Sequence, residues 1–143
     1  MQIHSDIQEI YQNISKCFGT SNNKSLQMIE NFSFYEQKTI IDFVNNVARA
    51  FKVSSIINNT AMSLKMKTLT GSDFLYPMFQ SYDYYSLFHK FNCRIQVGGS
   101  DQWGNILHGI EYINLKEKVD VAGLTFPLLV DSGGQKLSKS KVK

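Results

Sequence analysis

Residues 94–105 read Arg-Ile-Gln-Val-Gly-Gly-Ser-Asp-Gln-Trp-Gly-Asn, and this stretch decides the fold. The apolar segment with Ile95 and Val97 predicts a buried strand, and the pattern after the glycines predicts a helix. Gly98 and Gly99 between them predict a tight strand-to-helix turn. A backbone without Cβ atoms lets a ligand come close, and a helix amino terminus favours an anion. We therefore expect a binding site at this turn.

Strand and helix patterns alternate along the rest of the chain. The periodicity predicts helices over 3–17, 37–51, 72–91 and 101–115, and extended segments or strands over 28–34, 94–97 and 124–130. Ser72 or Asp73 is expected to cap the 72–91 helix. The inner face of the 37–51 helix is predicted to hold Ile40, Ile41, Val44, Val47, Ala48 and Phe51. This alternation favours an α/β fold, a parallel sheet with flanking helices that binds ligands at the carboxyl ends of its strands.

Composition and charge narrow the class of protein. With 143 residues, 43% hydrophobic and 19% charged, the chain is typical of one soluble globular domain. Apolar runs stay well below the roughly 18 residues that a membrane span needs, so we expect none. The net charge is +3, and residues 136–143 carry four lysines and no acid. The rest of the chain is therefore slightly acidic, which disfavours a general RNA-binding surface.

The two cysteines, Cys17 and Cys93, indicate a reducing compartment, although one disulfide remains possible. Neither cysteine has a cysteine or histidine partner at metal-ligand spacing, so no metal site is expected.

A polar stripe interrupts the otherwise apolar 72–91 segment. Tyr76, Gln80 and Asp83 are spaced by four and three residues, which puts them on one face of the helix. Such a stripe either faces water or lines a polar pocket. A phenol, an amide and an acid facing one pocket could bind the ammonium and hydroxyl groups of an amino acid. Gln96 points away from Ile95 and Val97, and it belongs either to a solvated strand face or to that pocket.

A lysine-rich loop, Lys136-Leu-Ser-Lys-Ser140, follows the last predicted strand and a glycine turn. Lysines in such a loop either form a solvated tail or contact phosphates as mobile point charges. The loop also contains the Ser-x-x-Lys pattern of penicillin-binding enzymes, but their partner motifs are missing from this chain.

From about residue 31 to 140 the chain resembles the second half of the Rossmann-like catalytic domain of bacterial-type tyrosyl-tRNA synthetases, which are class I aminoacyl-tRNA synthetases. The resemblance rests on Gln80-Ser-Tyr-Asp83, the run from Gln96 to Asn105, Gly123-Leu-Thr125, Pro127-Leu128 and the lysine loop. A tryptophanyl-tRNA synthetase relative is the alternative within the class. That branch shares the lysine loop but typically has Gly-Glu-Asp-Gln where this chain has Gly-Gly-Ser-Asp-Gln.

The resemblance implies that the parent enzyme activates tyrosine with ATP, forming tyrosyl-adenylate, and then transfers tyrosine to tRNA(Tyr) in translation. Mg²⁺ would accompany ATP as substrate, with no resident cofactor. The implied tyrosine-binding residues are Tyr76, Gln80, Asp83, Gln96 and Gln102. The implied ATP- and adenylate-binding residues are Gly98, Gly99, Asp101, Leu128, Leu129, Lys136 and Lys139. Lys136 and Lys139 would also be catalytic, because they would stabilise the departing pyrophosphate.

The ATP signature of the family's first half, of the type His-Ile-Gly-His, and its anticodon-binding domain have no counterpart in the sequence. We therefore expect residues 1–143 to be the C-terminal portion of the catalytic domain, nearly inactive in isolation. The resemblance also implies a homodimer through the region 31–60, and a location in bacterial cytoplasm or in a eukaryotic organelle. The alternative is an inactive half-synthetase that acts as a binding or dimerisation module.

Overall fold

The structure, a computed structural model, describes residues 2–18, 26–57 and 68–133. The chain divides into two compact units, residues 1–33 and 34–143. The first unit contains helix α1, Gln2–Cys17, as its periodicity predicts. The strand or extended segment predicted over 28–34 is wrong for Asn31–Phe34, which is a 3-10 turn, and residues 26–30 before it form no strand. Ser33 explains the turn, since its backbone N–H and its hydroxyl both donate to the Glu30 carbonyl, at 3.2 and 2.8 Å.

In the second unit the predicted 37–51 helix is divided in two. It consists of α2, Ile40–Asn46, and a 3-10 turn, Ala48–Ala50, before the short helix α3, Val53–Ile57. The predicted inner face is wrong at its first positions, because Ile40 is 85% exposed and Ile41 and Val44 are exposed too. α2 packs instead through Phe43, whose ring stacks on Phe79 with centroids 4.6 Å apart. The buried cluster around it contains Phe43, Val47, Ile56, Met78 and Tyr112.

Helix α4, Gly71–Phe91, has the predicted extent but a different cap. Thr70, rather than Ser72 or Asp73, is the N-cap, and its hydroxyl oxygen accepts a hydrogen bond from the Asp73 N–H at 3.3 Å. The Asp73 carboxylate accepts in return from the Thr70 N–H at 2.9 Å, which completes a capping box. The helix ends at Asn92, whose left-handed backbone (φ 52°) turns the chain toward the sheet.

Two parallel strands follow, as the sequence predicts, with boundaries shifted by a few residues. Strand β1, Ile95–Gly99, pairs with β2, Ala122–Phe126, in a register that sets Val97 opposite Leu124. A 3-10 turn, Ser100–Gln102, and helix α5, Trp103–Glu117, connect them. β2 ends at Phe126 rather than Val130, because Pro127 has no N–H to donate to a neighbouring strand.

The two faces of this sheet differ in what covers them. On one face, α5 packs against glycines: a Cβ on Gly123 would collide with Ile106, and one on Gly98 would lie 3.3 Å from Ile106 Cδ1. On the other face the apolar side chains are 48–57% exposed, namely Ile95, Val97, Leu124 and Phe126. We call these four residues the open apolar face. The prediction that Ile95 and Val97 are buried is therefore wrong for this chain, because the helices cover the alternate positions.

His108 of α5 is buried, at 7% exposure, and gives a test of the packing around it. Burial lowers its pKa below the ordinary 6.5, although the Glu111 carboxylate, 3.8 Å from Nδ1, acts in the opposite direction. The Phe51 ring lies edge-on, with centroids 6.2 Å apart. As the pH falls below 6.5, the unfolded chain therefore takes up this proton before the folded chain does.

We expect the free energy of unfolding to decrease between about pH 7.5 and about pH 5.5, and His108→Gln to reduce that decrease. Urea unfolding at both pH values measures the difference. His89→Gln is the comparison variant, because His89 is an exposed histidine on α4 whose Nε2 lies 2.9 Å from Glu117 Oε1, and its loss should not reduce the decrease as His108→Gln does. Equal pH dependence in the native chain and His108→Gln would contradict the assignment.

Candidate functional site

Gly98 and Gly99 are the last residues of β1, and the turn predicted at them begins one residue later, at Ser100–Gln102. Two of the predicted adenylate-binding residues lie close to Gly99. A Cβ placed on Gly99 would lie 2.7 Å from Leu128 Cδ2 and 2.8 Å from Asp101 Oδ1. The position therefore requires a glycine unless both neighbours shift. Since β1 and β2 are parallel, their carboxyl ends at Gly99 and Phe126 lie at one edge of the sheet. The structure thus brings Gly98, Gly99, Asp101 and Leu128 together there, while the Leu129 side chain is 79% exposed.

The amino terminus of α5 lies at the same turn. Gln102 immediately precedes the helix. A Cβ placed on Gly98 would lie 3.2 Å from the Cβ of Gln102. Its side-chain carbonyl accepts a hydrogen bond from the Asn105 amide at 3.4 Å. The first N–H groups of a 15-residue helix are unpaired within it and carry a partial positive charge. This edge can therefore hold a ligand that combines hydroxyl and anionic groups.

The polar stripe on α4 has the predicted common face. At about 100° per residue, Tyr76, Gln80 and Asp83 fall within about 60° of each other around the helix. Gln80 and Asp83 are half-buried, whereas Tyr76 is 58% exposed. Tyr76 is therefore the most exposed residue of the stripe, and the other two residues lie nearer the packed side of α4.

Tyr35 contacts this stripe and was missed by the sequence reasoning. Its hydroxyl lies 2.6 Å from Asp83 Oδ1, to which it donates, and 3.1 Å from the Phe79 carbonyl oxygen. Burial, followed by the hydrogen bond to Asp83 and its charge, raises the pKa of Tyr35 well above its ordinary value. The phenol therefore stays protonated and acts as a donor. A lone tyrosine in a loop, 48 residues away in sequence, carries no periodic signal that could have identified it.

Gln96 lies on the helix-covered face of the sheet, opposite in direction to Ile95 and Val97 as predicted. Its Oε1 is 3.5 Å from the position of a Cβ on Gly109, and the Tyr84 ring is 3.0 Å from that same position. The solvated-face alternative for Gln96 is therefore wrong. Oε1 is buried and has no hydrogen-bond partner among the described residues. Such an oxygen is a candidate acceptor for a ligand or a water molecule.

Tyr84 anchors this side of the sheet. Its hydroxyl donates to the Ala122 carbonyl at 3.0 Å, where β2 begins. Burial, with a smaller effect of Cys93, raises the pKa of Tyr84 to about 12. Tyr84 therefore joins α4 to β2 next to Asp83 and Gln96.

Lys136 and Lys139 lie outside the residues that the structure describes, so their roles stay predictions. Within residues 2–18, 26–57 and 68–133, no three His, Cys, Asp or Glu side chains cluster so as to hold a metal ion. Cys17 and Cys93 are free thiols. In the described part of the chain, no helix is both long enough and apolar enough to cross a bilayer.

Comparison with known proteins gives one family. The family model described as "tRNA synthetases class I (W and Y)" matches residues 2–143. The mitochondrial tyrosine–tRNA ligase of Homo sapiens is 37% identical over 119 residues, which cover 81% of this chain and 25% of that protein. The tyrosine–tRNA ligase of Mesoplasma florum is 38% identical over 115 residues, covering 78% and 28%. That of Borreliella afzelii is 36% identical over 140 residues, covering 97% and 32%.

Solved structures show the same similarity. A C-terminally truncated mitochondrial tyrosyl-tRNA synthetase of Aspergillus nidulans superposes with a TM-score of 0.62 at 26% identity, covering 77% of this chain and 35% of that one. The corresponding protein of Coccidioides posadasii gives 0.62 at 21% identity, covering 75% and 34%. The chain spans about a quarter to a third of the length of the curated relatives it matches.

Proposed function

Because the chain belongs to the class I tRNA synthetases for tryptophan and tyrosine, we propose that it supplies the tyrosine- and ribose-binding part of a tyrosine–tRNA ligase. The relatives described above are all tyrosine enzymes, which favours tyrosine and gives the tryptophan alternative no support. The reaction would join a tyrosine carboxylate oxygen to the α-phosphorus of ATP, with pyrophosphate leaving. A ribose hydroxyl of the tRNA would then take the tyrosyl group and release AMP.

The observation that carries this proposal is the turn where Gly99, Asp101 and Leu128 meet. In the proposal, the ribose of the adenylate lies against the backbone at Gly98 and Gly99, and the Asp101 carboxylate accepts hydrogen bonds from its hydroxyls. The chain at Leu128 and Leu129 would lie against adenine. The close approach of Leu128 Cδ2 and Asp101 Oδ1 to Gly99 supports this assignment, because it places an apolar and an acidic group next to the same glycine.

The amino-acid side of the proposed site is formed by α4 and β1. Tyr76 and Gln80 would bind the ammonium group of tyrosine, and Asp83 would accept the hydrogen bond of its phenol. Gln96 and Gln102 would hold the amino-acid end of the intermediate. The buried Gln96 Oε1, without a hydrogen-bond partner among the described residues, supports a polar ligand on that side.

The reactive phosphates would be neutralised by Lys136 and Lys139, with Mg²⁺ arriving on ATP. Two lysines and a metal ion stabilise charge as it develops on pyrophosphate, so catalysis would be electrostatic and positional, without a covalent enzyme intermediate. The family implies the use of ATP.

We propose tRNA(Tyr) and a second copy of the chain as macromolecular partners. Ile40, Ile41, Val44 and Val53 are 48–85% exposed within the region 31–60, where the resemblance implies a dimer contact. Since the relatives include bacterial and mitochondrial proteins, we propose that the parent enzyme acts either in a bacterial cytoplasm or in a mitochondrion.

One observation favours a second candidate function, an inactive half-synthetase that binds another protein. The open apolar face exposes four large side chains, and such patches mark interaction sites. This module would associate without forming an adenylate.

The deciding experiment inserts the chain in place of the corresponding segment of the Mesoplasma florum ligase; we call this protein the chimera. We expect ATP–pyrophosphate exchange that depends on tyrosine, and nearly none from the isolated chain. The control is the chimera with Lys136→Ala and Lys139→Ala, which should keep its circular dichroism spectrum and lose most exchange. Exchange driven by tryptophan would overturn the assignment. A folded chimera without exchange would favour the binding module, and robust turnover by the isolated chain would contradict the need for further residues.

A further inference from the structure

Tyr35 reaches the amino-acid side of the proposed site from outside the stripe. We propose that Tyr35 is a positioning residue that fixes the Asp83 carboxylate for the phenol of a tyrosine ligand, and so contributes to selectivity against phenylalanine. This inference rests on the proposed function and extends it to a residue outside the family's motifs.

The contact itself is short and well held. The distance of 2.6 Å from the Tyr35 hydroxyl to Asp83 Oδ1 is typical of a hydroxyl that donates to an ionised carboxylate. The Tyr35 ring is packed among three others, with centroids 6.3 Å from Phe43, 5.6 Å from Phe79 and 5.4 Å from Tyr82. Because three rings contact the Tyr35 ring, its hydroxyl has a fixed position, and the hydrogen bond from it restrains the rotamer of Asp83.

Tyr35 approaches Asp83 from the flank opposite to the stripe. At about 100° per residue, Phe79 and Tyr82 lie about 40° and about 100° around α4 on one side of Asp83. Tyr76 and Gln80 lie about 20° and about 60° around on the other side. Because Tyr35 packs on the Phe79 and Tyr82 flank, it leaves the stripe side of α4 to a ligand.

The chemistry allows Tyr35 and a ligand to share one carboxylate. An ionised carboxylate has two oxygens and about four acceptor positions, so it can accept from two phenols. Tyr35 stays protonated, since burial and Asp83 raise its pKa, and it therefore donates at every pH where the site would work. Without its hydroxyl, Asp83 would lose one restraint and hold a ligand phenol less well.

The test uses Tyr35→Phe in the chimera, which removes the hydroxyl and keeps the ring. We expect KM for tyrosine to rise about 5- to 10-fold with kcat nearly unchanged, while kcat/KM for phenylalanine stays within about twofold. Tyr82→Phe is the matched control, since it removes a hydroxyl from the same aromatic cluster and should leave the ratio of tyrosine to phenylalanine unchanged. In the 143-residue chain, the downfield hydroxyl proton of Tyr35 should disappear in Tyr35→Phe and move upfield in Asp83→Asn by NMR.

The outcomes separate this inference from the proposed function. A lower KM for tyrosine in Tyr35→Phe would mean that Tyr35 occupies the place of the ligand phenol, which overturns the positioning role. Equal losses for tyrosine and phenylalanine would mean a structural role and would also overturn it. A Tyr35 proton that does not respond to Asp83→Asn refutes the contact itself. Absence of tyrosine-dependent exchange in the unsubstituted chimera refutes the proposed function instead.

Discussion

Asp83→Ala should lower kcat/KM for tyrosine about 10- to 100-fold in the chimera, while kcat/KM for phenylalanine changes by less than about threefold. The physical reason is that the carboxylate offers a charged acceptor to the phenol of tyrosine. A hydrogen bond to a charged group contributes about 1.5–3 kcal/mol, and about 1.4 kcal/mol corresponds to tenfold in rate. Phenylalanine has no phenol and therefore gains nothing from Asp83.

ATP–pyrophosphate exchange with each amino acid in turn measures both constants. Glu111→Ala is the control, because Glu111 is an exposed acid on the neighbouring helix α5 and should leave both constants unchanged. If tyrosine and phenylalanine lose rate equally, Asp83 supports the fold of α4 and does not select the substrate.

Ile106→Ala should lower the free energy of unfolding of the 143-residue chain by about 2–5 kcal/mol. Ile106 is fully buried in α5 and packs against the sheet at Gly98 and Gly123. Removing its side chain leaves a cavity bordered by glycines, which have no side chains that could move into the space. The loss should therefore lie toward the upper part of that range.

Guanidinium unfolding followed by far-UV circular dichroism measures this difference. Leu107→Ala is the matched control: it is the next residue of α5, it is 37% exposed, and its truncation should cost less than about 1 kcal/mol. Equal losses at the two positions would contradict the packing of α5 described above.

Local patterns in the sequence predicted the elements that position the candidate site. The apolar segment, glycine pair and amphipathic run at residues 94–115 predicted β1, its turn and α5, and the alternation of elements predicted the parallel pairing with β2. The spacing of the stripe predicted its common face on α4. These features depend on neighbours within a few residues, which periodicity and turn chemistry describe directly.

What covers each face could not be predicted in the same way. Periodicity shows which residues share a face of α2, but the stacking of Phe43 on Phe79 decides that Ile40 and Ile41 face outward. Similarly, the side chains of β1 alternate between the two faces of the sheet as expected. Contact with Ile106 of α5 decides that the face with Gly98 is the covered one. Tyr35 contacts Asp83 only because two segments 48 residues apart pack together. Such contacts depend on the assembled fold, for which a single sequence gives no local signal.

The close packing of α5 on the sheet at Gly123 also limits the order in which this protein can change during evolution. The atom that blocks a Cβ at Gly123 is the branched methyl, Cγ2, of Ile106. Leucine has no carbon branching at that position and conserves the volume of the side chain, at a cost below about 1.5 kcal/mol. A lineage that first exchanges Ile106 for Leu removes this collision and leaves Ile110 Cδ1, at 3.3 Å, as the contact that must shift for Ala at 123, whereas the reverse order passes through a more strongly overpacked intermediate. The two positions are therefore epistatic, and the order that changes Ile106 first is the less costly of the two.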